Sequence, residues 1–144
     1  MLELYARKKQ VGEILRLIRH LRREIRYSGA PLHHILASPS CPKNLPIFRW
    51  FQYEEPFDLT ENYCKAKDFC RGEIFLSSEE KEALDDLFFD LGQGDQNEQE
   101  RLLSLSETVF VQSEEQIKEL LSKNGKSALV LGGAAGAVLV LLLL

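Results

Sequence analysis

The histidines are the first residues of this sequence whose chemistry could support catalysis or metal binding. His33 and His34 are adjacent, so on a helix their side chains point about 100° apart and cannot share a metal ion as an i, i+4 pair would. His20 stands alone in a run of apolar and basic residues. These spacings predict neither a metal site nor a general base.

The three cysteines, Cys41, Cys64 and Cys70, are an odd number without metal-binding spacing. The interval between Cys64 and Cys70 is too long for a CxxC motif, and no histidine pair completes a zinc set. No signal peptide is recognisable at the N-terminus. We therefore expect free thiols, buried or partly exposed, in a reducing cytoplasmic setting.

Acidic and glycine-containing segments are the remaining candidates for a site. Asp86 and Asp90 would share a helix face and could form a weak cation site, but a solvated acidic face is the simpler interpretation. The run Gly92-Gln93-Gly94 lacks the lysine and the preceding strand of a phosphate-binding loop. We expect no enzymatic activity, no metal and no cofactor.

Charge is distributed unevenly along the chain. Residues 1–30 contain eight basic and three acidic residues, a net charge of +5. The whole chain has a net charge of −4, so residues 31–144 have a net charge of −9. A basic segment on an acidic body indicates either internal charge pairing or an acidic partner or membrane surface. The acidic remainder argues against nucleic acid as a partner.

The elements that must position these residues begin with a long basic helix, predicted over Leu4–Tyr27. Its apolar stripe falls at heptad positions, widened by two leucines. The arginines occupy the other faces, and an exposed arginine face is our candidate docking surface. The stripe is Val11, Ile14, Leu15, Leu17, Ile18, Leu21 and Ile25, and the arginine face is Arg16, Arg19, Arg22, Arg23 and Arg26.

The middle of the chain reads as short helices separated by a loop. Pro31 suits the first turn of a second helix that ends near Ala37. Three prolines within residues 38–46 predict a loop. A third helix is predicted from Ile47 to Tyr53, and a fourth from about Asp58 to Cys70.

Two capped helices complete the predicted bundle, which is all-α because no segment alternates with a period of two. Ser77 with Glu80 forms a capping box, and Asp95 with Glu98 offers the cap of a last long helix. The first of these helices has Leu84, Leu87, Phe88 and Leu91 on its apolar face. The last has a predicted core stripe of Leu102, Leu105, Val109, Ile117 and Leu120.

The last residues, 127–144, contain no charge. As a helix they would extend about 27 Å, which approaches the hydrocarbon thickness of a bilayer. We predict a cytoplasmic bundle over 1–126 and a transmembrane anchor over 127–144, with preceding lysines keeping the bundle in the cytoplasm. Small residues at GxxxG spacing would allow self-association through this helix. The anchor positions are Ser127, Leu131, Gly132, Gly136, Val140 and Leu144.

Two motifs and the C-terminal join form a recognisable combination. The first motif is Glu24, Ile25, Tyr27, Pro31 and Leu32, and the second is Leu91, Gly92, Asp95 and Gln99. The join is Lys-Asn-Gly-Lys before a leucine-rich end. With these features the chain resembles stage III sporulation protein AB of endospore-forming bacteria. The resemblance covers residues 4–37 and 76–144.

The resemblance implies a non-enzymatic structural subunit of a secretion-like sporulation channel in the mother-cell membrane around the forespore. It implies a bundle similar to the cytoplasmic domain of the type II secretion platform protein F. Such a bundle would dock a cytoplasmic sporulation ATPase and other subunits of the stage III A operon. Family members usually begin with another transmembrane helix, residues 40–75 match poorly, and the family often has glycine at Phe88.

A second interpretation belongs to a different class of protein. A tail-anchored regulatory adaptor would also join a helical domain to a C-terminal span, and would bind an amphipathic helix in a groove. The Asn-Trp-Gly-Arg signature of the Bcl-2 family is missing, since the one tryptophan, Trp50, lies in FRWFQ. The sporulation channel subunit is therefore the leading hypothesis.

Overall fold

A computed structural model describes the backbone of residues 2–134 and the side chains of residues 2–123. These residues form helices, turns and loops without a strand, which confirms the predicted all-α bundle for this part of the chain. Two short 3-10 turns, Pro46–Trp50 and Arg71–Glu73, join the helices. The helices are α1 (Leu2–Tyr27), α2 (Leu32–Ala37), α3 (Leu59–Phe69), α4 (Ser78–Asp90) and α5 (Gln96–Ala134).

The antiparallel pair α1 and α5 is the centre of the bundle. Arg26 pairs with Glu100 and Arg19 pairs with Glu107, so the two helices run in opposite directions. Helix α4 packs on α5, and α3 packs on α4 and on the first 3-10 turn. The predicted stripe of α1 is confirmed: its members from Val11 to Leu21, which are Val11, Ile14, Leu15, Leu17, Ile18 and Leu21, are buried, and Ile25 is half-buried.

The buried stripe of α5 differs from the predicted one. Leu105, Val109 and Leu120 are exposed, and Leu102 is only half-buried. Of the predicted stripe only Ile117 is fully buried. The observed stripe includes two small serines that allow close packing, and an apolar pattern cannot detect them. It consists of Leu103, Ser106, Phe110, Ser113 and Ile117.

Helix α4 begins and packs as predicted. The Ser77 side chain accepts from the backbone of Glu80, whose carboxylate accepts from the backbone of Ser77, so both halves of the capping box form. Leu84, Leu87 and Phe88 are buried on its inner face, with Leu91 just beyond the helix. The predicted fourth helix is α3, with Asp58 as its N-cap.

The predicted third helix, Ile47–Tyr53, is wrong beyond its first turn. Pro46 begins a 3-10 turn that ends at Trp50, and Phe51 is extended. The backbone N–H of Gln52 bonds to Asn62 of α3 at 2.8 Å instead of continuing a helix. The turn places Ile47, Phe48 and Phe51 in the core. Phe88 stacks on Tyr63 with ring centroids 4.6 Å apart.

The cysteines are free, as predicted. Cys41 and Cys70 are buried and Cys64 is exposed. Burial raises the pKa of the Cys41 thiol to about 11, which keeps it protonated and unreactive at neutral pH.

The predicted membrane anchor largely falls outside the described residues. Ser127, Leu131 and Gly132 belong to the backbone of α5, which continues past the predicted boundary at residue 126 to Ala134. Gly136, Val140 and Leu144 lie outside the described residues. Among the helices described, none combines the length and the apolar character needed to span a bilayer.

Candidate functional site

The two sequence motifs meet at one end of the bundle. The first lies at the end of α1 and in the turn to α2, and the second lies in the turn from α4 to α5. About sixty residues of chain separate them. The antiparallel packing of α1 on α5 brings both turns to the end of the bundle that is remote from residue 123.

The turn after α1 is built from short local hydrogen bonds. The N–H of Ser28 donates to the carbonyl of Glu24 at 2.9 Å and so ends the helix. Gly29 has φ +63, and the N–H of Ala30 donates to the Ser28 hydroxyl. Pro31 then offers its carbonyl to the first turn of α2. The motif residues Glu24 and Pro31 therefore shape the turn.

The turn before α5 uses glycine for conformations that other residues rarely adopt. Gly92 and Gly94 have φ of +87 and +81. Asp95 caps α5, because its carboxylate accepts from the N–H of Glu98 at 2.8 Å. Leu91 is buried below the turn. The Gln99 amide donates to the carbonyl of Gly94 at 3.4 Å.

A cleft of about 290 Å³ lies between the two turns. We call it the motif cleft. The amide of Gln96 crosses it and donates to the carbonyls of Ile25 and Arg26 at 3.2 and 3.4 Å, which caps the end of α1. Its walls are aliphatic and amide groups, which suit a polypeptide better than acid–base chemistry. The walls include Ile25, Pro31, Leu32, Ile35, Gly92, Gln96 and Gln99.

Five of the nine motif residues, Ile25, Pro31, Leu32, Gly92 and Gln99, line this cleft. Tyr27 is 77% exposed beside it, with the Arg26 guanidinium 6.0 Å from its ring centroid. Sequence reasoning did not find Gln96 or Ile35. The position of Gln96, directly after Asp95 and three residues before Gln99, is the signal that could have indicated it.

The arginine face of α1 divides into two groups. Arg22 bonds to both Glu100 and Glu107 of α5, Arg19 bonds to Glu107 and Arg26 to Glu100. These bonds raise the pKa of Arg22. The hydrogen bond from Arg22 is the main cause that lowers the pKa of Glu100. Internal charge pairing, one of the two predicted alternatives, is therefore present for these three arginines.

Arg16 and Arg23 form the second group. Both are exposed, and neither makes an ion pair within residues 2–123. Among the described side chains, Arg23 has one hydrogen-bond partner, Nδ1 of His20 at 3.2 Å. Arg23, with Arg22, Arg26 and Tyr27, lines a shallow cleft next to the motif end. Positive charge that remains available to a partner is thus found at Arg16 and Arg23.

A buried ion pair lies at the opposite end of the bundle and was not predicted. The Arg7 guanidinium donates to Glu80 at 2.7 Å, and the Glu80 side chain is 1% exposed. Burial opposes ionisation of Glu80, but bonds from Arg7, Ser77 and Ser113 hold its pKa below the ordinary value.

Gln10 bonds to the backbone of Glu73 and Phe75 and ties the loop before α4 to α1.

The fold and the motif cleft define a helical bundle with a peptide-sized cleft at one end and a long helix leading away from it. The sequence model of the stage III sporulation protein AB family matches residues 2–144, and the chain belongs to that family. The family assigns it a role in stage III of sporulation. No curated protein and no solved structure matches the chain.

Proposed function

We propose that this chain is a non-enzymatic, membrane-anchored structural subunit of a secretion-like sporulation channel in the mother-cell membrane around the forespore. In this role it docks a cytoplasmic secretion-type ATPase and neighbouring membrane subunits. One observation carries the proposal: motif residues distant in sequence converge on one cleft, whose aliphatic and amide walls suit a polypeptide. By analogy, the proposal includes a bundle like the cytoplasmic domain of the platform protein F of type II secretion.

The docking surface that we propose combines the motif cleft with the unpaired part of the arginine face. The cleft would receive an apolar segment of the partner, since Ile25, Leu32 and Ile35 form its walls. Arg16 and Arg23 would attract an acidic partner over a longer range, because exposed charges mainly raise association rates. Arg19, Arg22 and Arg26 would instead hold α1 on α5.

The uncharged segment 127–144 is the proposed membrane anchor. Helix α5 is continuous from Gln96 to Ala134, and the 28 steps along the helix from Gln99 to Ser127 extend for about 42 Å. An anchor at residue 127 would therefore hold the motif cleft well away from the lipid surface. A cytoplasmic partner could reach the cleft without contacting the membrane.

Deletion of the gene in its sporulating host tests the proposed role. We expect a block after engulfment, with few spores, rescued by the full chain and not by residues 1–126. Separation of membrane and soluble fractions would follow both forms, and only the full chain should resist alkaline extraction from the membrane. Normal spore yield in the deletion strain would contradict the channel role.

The docking surface is tested by placing the same bulky residue at two positions of α5. Gln99→Trp would fill the motif cleft, whereas Gln116→Trp changes an exposed position in the other half of the helix. With the detergent-solubilised full chain as bait, we expect Gln99→Trp alone to lose the ATPase encoded by the first gene of the operon. Equal recovery with both variants, at matched melting temperatures, would contradict docking at the cleft.

A charge-reversal pair tests the role of the arginines. Arg16→Glu with Arg23→Glu changes the two residues without an ion pair in the described side chains. We expect slower association with the ATPase and a weaker dependence of that rate on salt. Lys8→Glu with Lys9→Glu is the matched control, because it removes the same charge from exposed positions near the other end of α1. Identical rates for both variants would contradict steering by Arg16 and Arg23.

A further inference from the structure

Two large aromatic side chains are exposed together on the side of α3. Trp50 ends the first 3-10 turn and is 45% exposed, and Phe69 ends α3 and is 66% exposed. Their rings stack with centroids 4.6 Å apart and planes 21° apart. We call this pair the aromatic patch. Aromatic surface of this kind, exposed at one place, is typical of sites that another molecule covers.

The core on the inner side of the turn holds the aromatic patch in place. Ile47, Phe48 and Phe51, which precede and follow Trp50, are buried. The N–H of Gln52 bonds to Asn62 and fixes the turn against α3. The backbone that carries Trp50 is thus fixed before any partner arrives, and this reduces the entropy that binding must overcome.

The surface next to the aromatic patch is acidic. A cleft of about 320 Å³ runs from the two rings past Glu54, Asp58 and Glu61. Lys65 is the one cation among the residues that line this cleft, and it pairs with Glu61 at 2.8 Å. Glu54 and Asp58 make no ion pair within the described side chains, so the cleft keeps a net negative charge.

We propose that the aromatic patch and its acidic cleft bind an arginine-bearing segment of a partner protein. A guanidinium is planar and weakly hydrated, so it stacks on aromatic rings while it donates to carboxylates. Glu54 and Asp58 line the same cleft near the start of α3, and the eleven residues of that helix extend about 16 Å to Phe69, so a segment with two arginines would stack one on the rings and bring the second to these carboxylates. This site is separate from the motif cleft, and the inference stands whether or not the proposed function holds.

Charge argues against the other occupants of this surface. A two-fold contact between copies of the chain would set the same carboxylates against one another. An anionic lipid surface or a nucleic acid would meet the same repulsion. An arginine segment is the occupant whose charge and shape both complement the surface.

Trp50 is the only tryptophan of the chain, so its fluorescence reports on this site directly. The full chain in detergent would be titrated with a short acetylated peptide of alternating arginine and alanine. Peptides with lysine or with uncharged citrulline at the same positions serve as comparisons. We expect a saturable change with arginine, a weaker one with lysine, and at least about tenfold weaker binding with citrulline.

Variants separate the stacking contribution from the charge contribution. Phe69→Ala keeps the tryptophan and removes its stacking partner, and Glu54→Gln with Asp58→Asn removes two charges while asparagine keeps the cap of α3. Each change should weaken binding of the arginine peptide by about tenfold. Tyr5→Ala and Glu82→Gln with Asp86→Asn, which change exposed residues elsewhere, should not.

Three results would overturn the inference. The first is the lack of a saturable signal with the arginine peptide. The second is equal binding of the arginine and citrulline peptides. The third is a tryptophan signal that changes with protein concentration without peptide, together with a larger sedimentation coefficient, because this would assign the surface to a second copy of the chain. Failure of ATPase docking at the motif cleft would contradict the proposed function but not this inference, because the peptide titration measures a different site.

Discussion

Gly92 lies directly against Leu32: a Cβ atom placed on Gly92 would stand 3.1 Å from Cδ2 of Leu32. The two residues belong to different motifs, and both line the motif cleft. Gly92 also has φ +87, a conformation that L side chains rarely adopt. Backbone conformation and space therefore both require glycine at this position.

Replacing Gly92 with alanine should destabilise the bundle by about 1–3 kcal/mol, because the backbone must be strained and Leu32 must move. Gly12→Ala is the matched control. Gly12 lies inside α1 with no atom within 4 Å of an added Cβ, so alanine should stabilise the helix by about 0.5–1 kcal/mol. Urea unfolding followed by circular dichroism measures both, and a shift in the same direction for both variants would contradict this account.

The pairing of Arg22 with Glu100 predicts a measurable coupling between α1 and α5. Both side chains are about a third exposed or less, so a double-mutant cycle to alanine should give about 0.5–1 kcal/mol, declining as salt is added. Arg16→Ala, which breaks no described ion pair, should change the free energy of unfolding by less than about 0.5 kcal/mol. A coupling energy of zero at low salt would show that the pair is only a surface contact.

Removing Arg7 should cost more than removing Arg22, because it leaves the buried carboxylate of Glu80 without its cation. We expect Arg7→Ala to lower the free energy of unfolding by about 3 kcal/mol, and Glu80→Gln in the same chain to restore part of it. Thermal unfolding at neutral pH measures both variants. No recovery in the double variant would contradict the ion-pair explanation.

The same carboxylate predicts loss of stability in acid. Glu80 has a folded-state pKa below its ordinary value of 4.5, so its contribution is present above that value and is lost as pH falls through the lower folded-state pKa. Unfolding measured from pH 7 to pH 3 should decline less steeply in Glu80→Gln. The exposed neighbour Glu79→Gln should follow the unmodified chain.

His20 predicts a second pH dependence, near neutrality. It is buried in α1, its Nε2 has no partner within the described residues, and burial is the main cause that lowers its pKa below 6.5. The unfolded chain then binds a proton more readily than the folded one, so stability should decrease as pH falls below about 6.5. His20→Leu should reduce this slope and the exposed His34→Asn should not, as measured by urea unfolding between pH 8 and pH 5.5.

The helices that bury a continuous apolar stripe were predictable from the sequence. In α1 and α4 the side chains that pack inward are large and apolar, so their period is visible directly. In α5 the buried positions include Ser106 and Ser113, whose small size allows close approach and whose polarity hides them from a hydropathy pattern. The apolar residues Leu102, Leu105 and Val109, each one position before a buried residue, then suggested a stripe rotated by about 100°.

Parts of the candidate site that depend on long-range pairing could not be predicted. The motifs indicated which residues matter, but only the antiparallel packing of α1 on α5 shows that Gly92 and Leu32 meet. The acids Glu100 and Glu107 face the arginines for the same reason. Trp50 and Phe69 lie on separate elements, and no periodicity relates them.

The uninterrupted course of α5 has a mechanical consequence. Its 39 described residues extend for about 58 Å, with the motif cleft near one end and Ala134 at the other. A tilt of about ten degrees around the Ala134 end would move the opposite end by about 10 Å. The tilt of α5 therefore also determines the position of the motif cleft, without any conformational change inside the bundle.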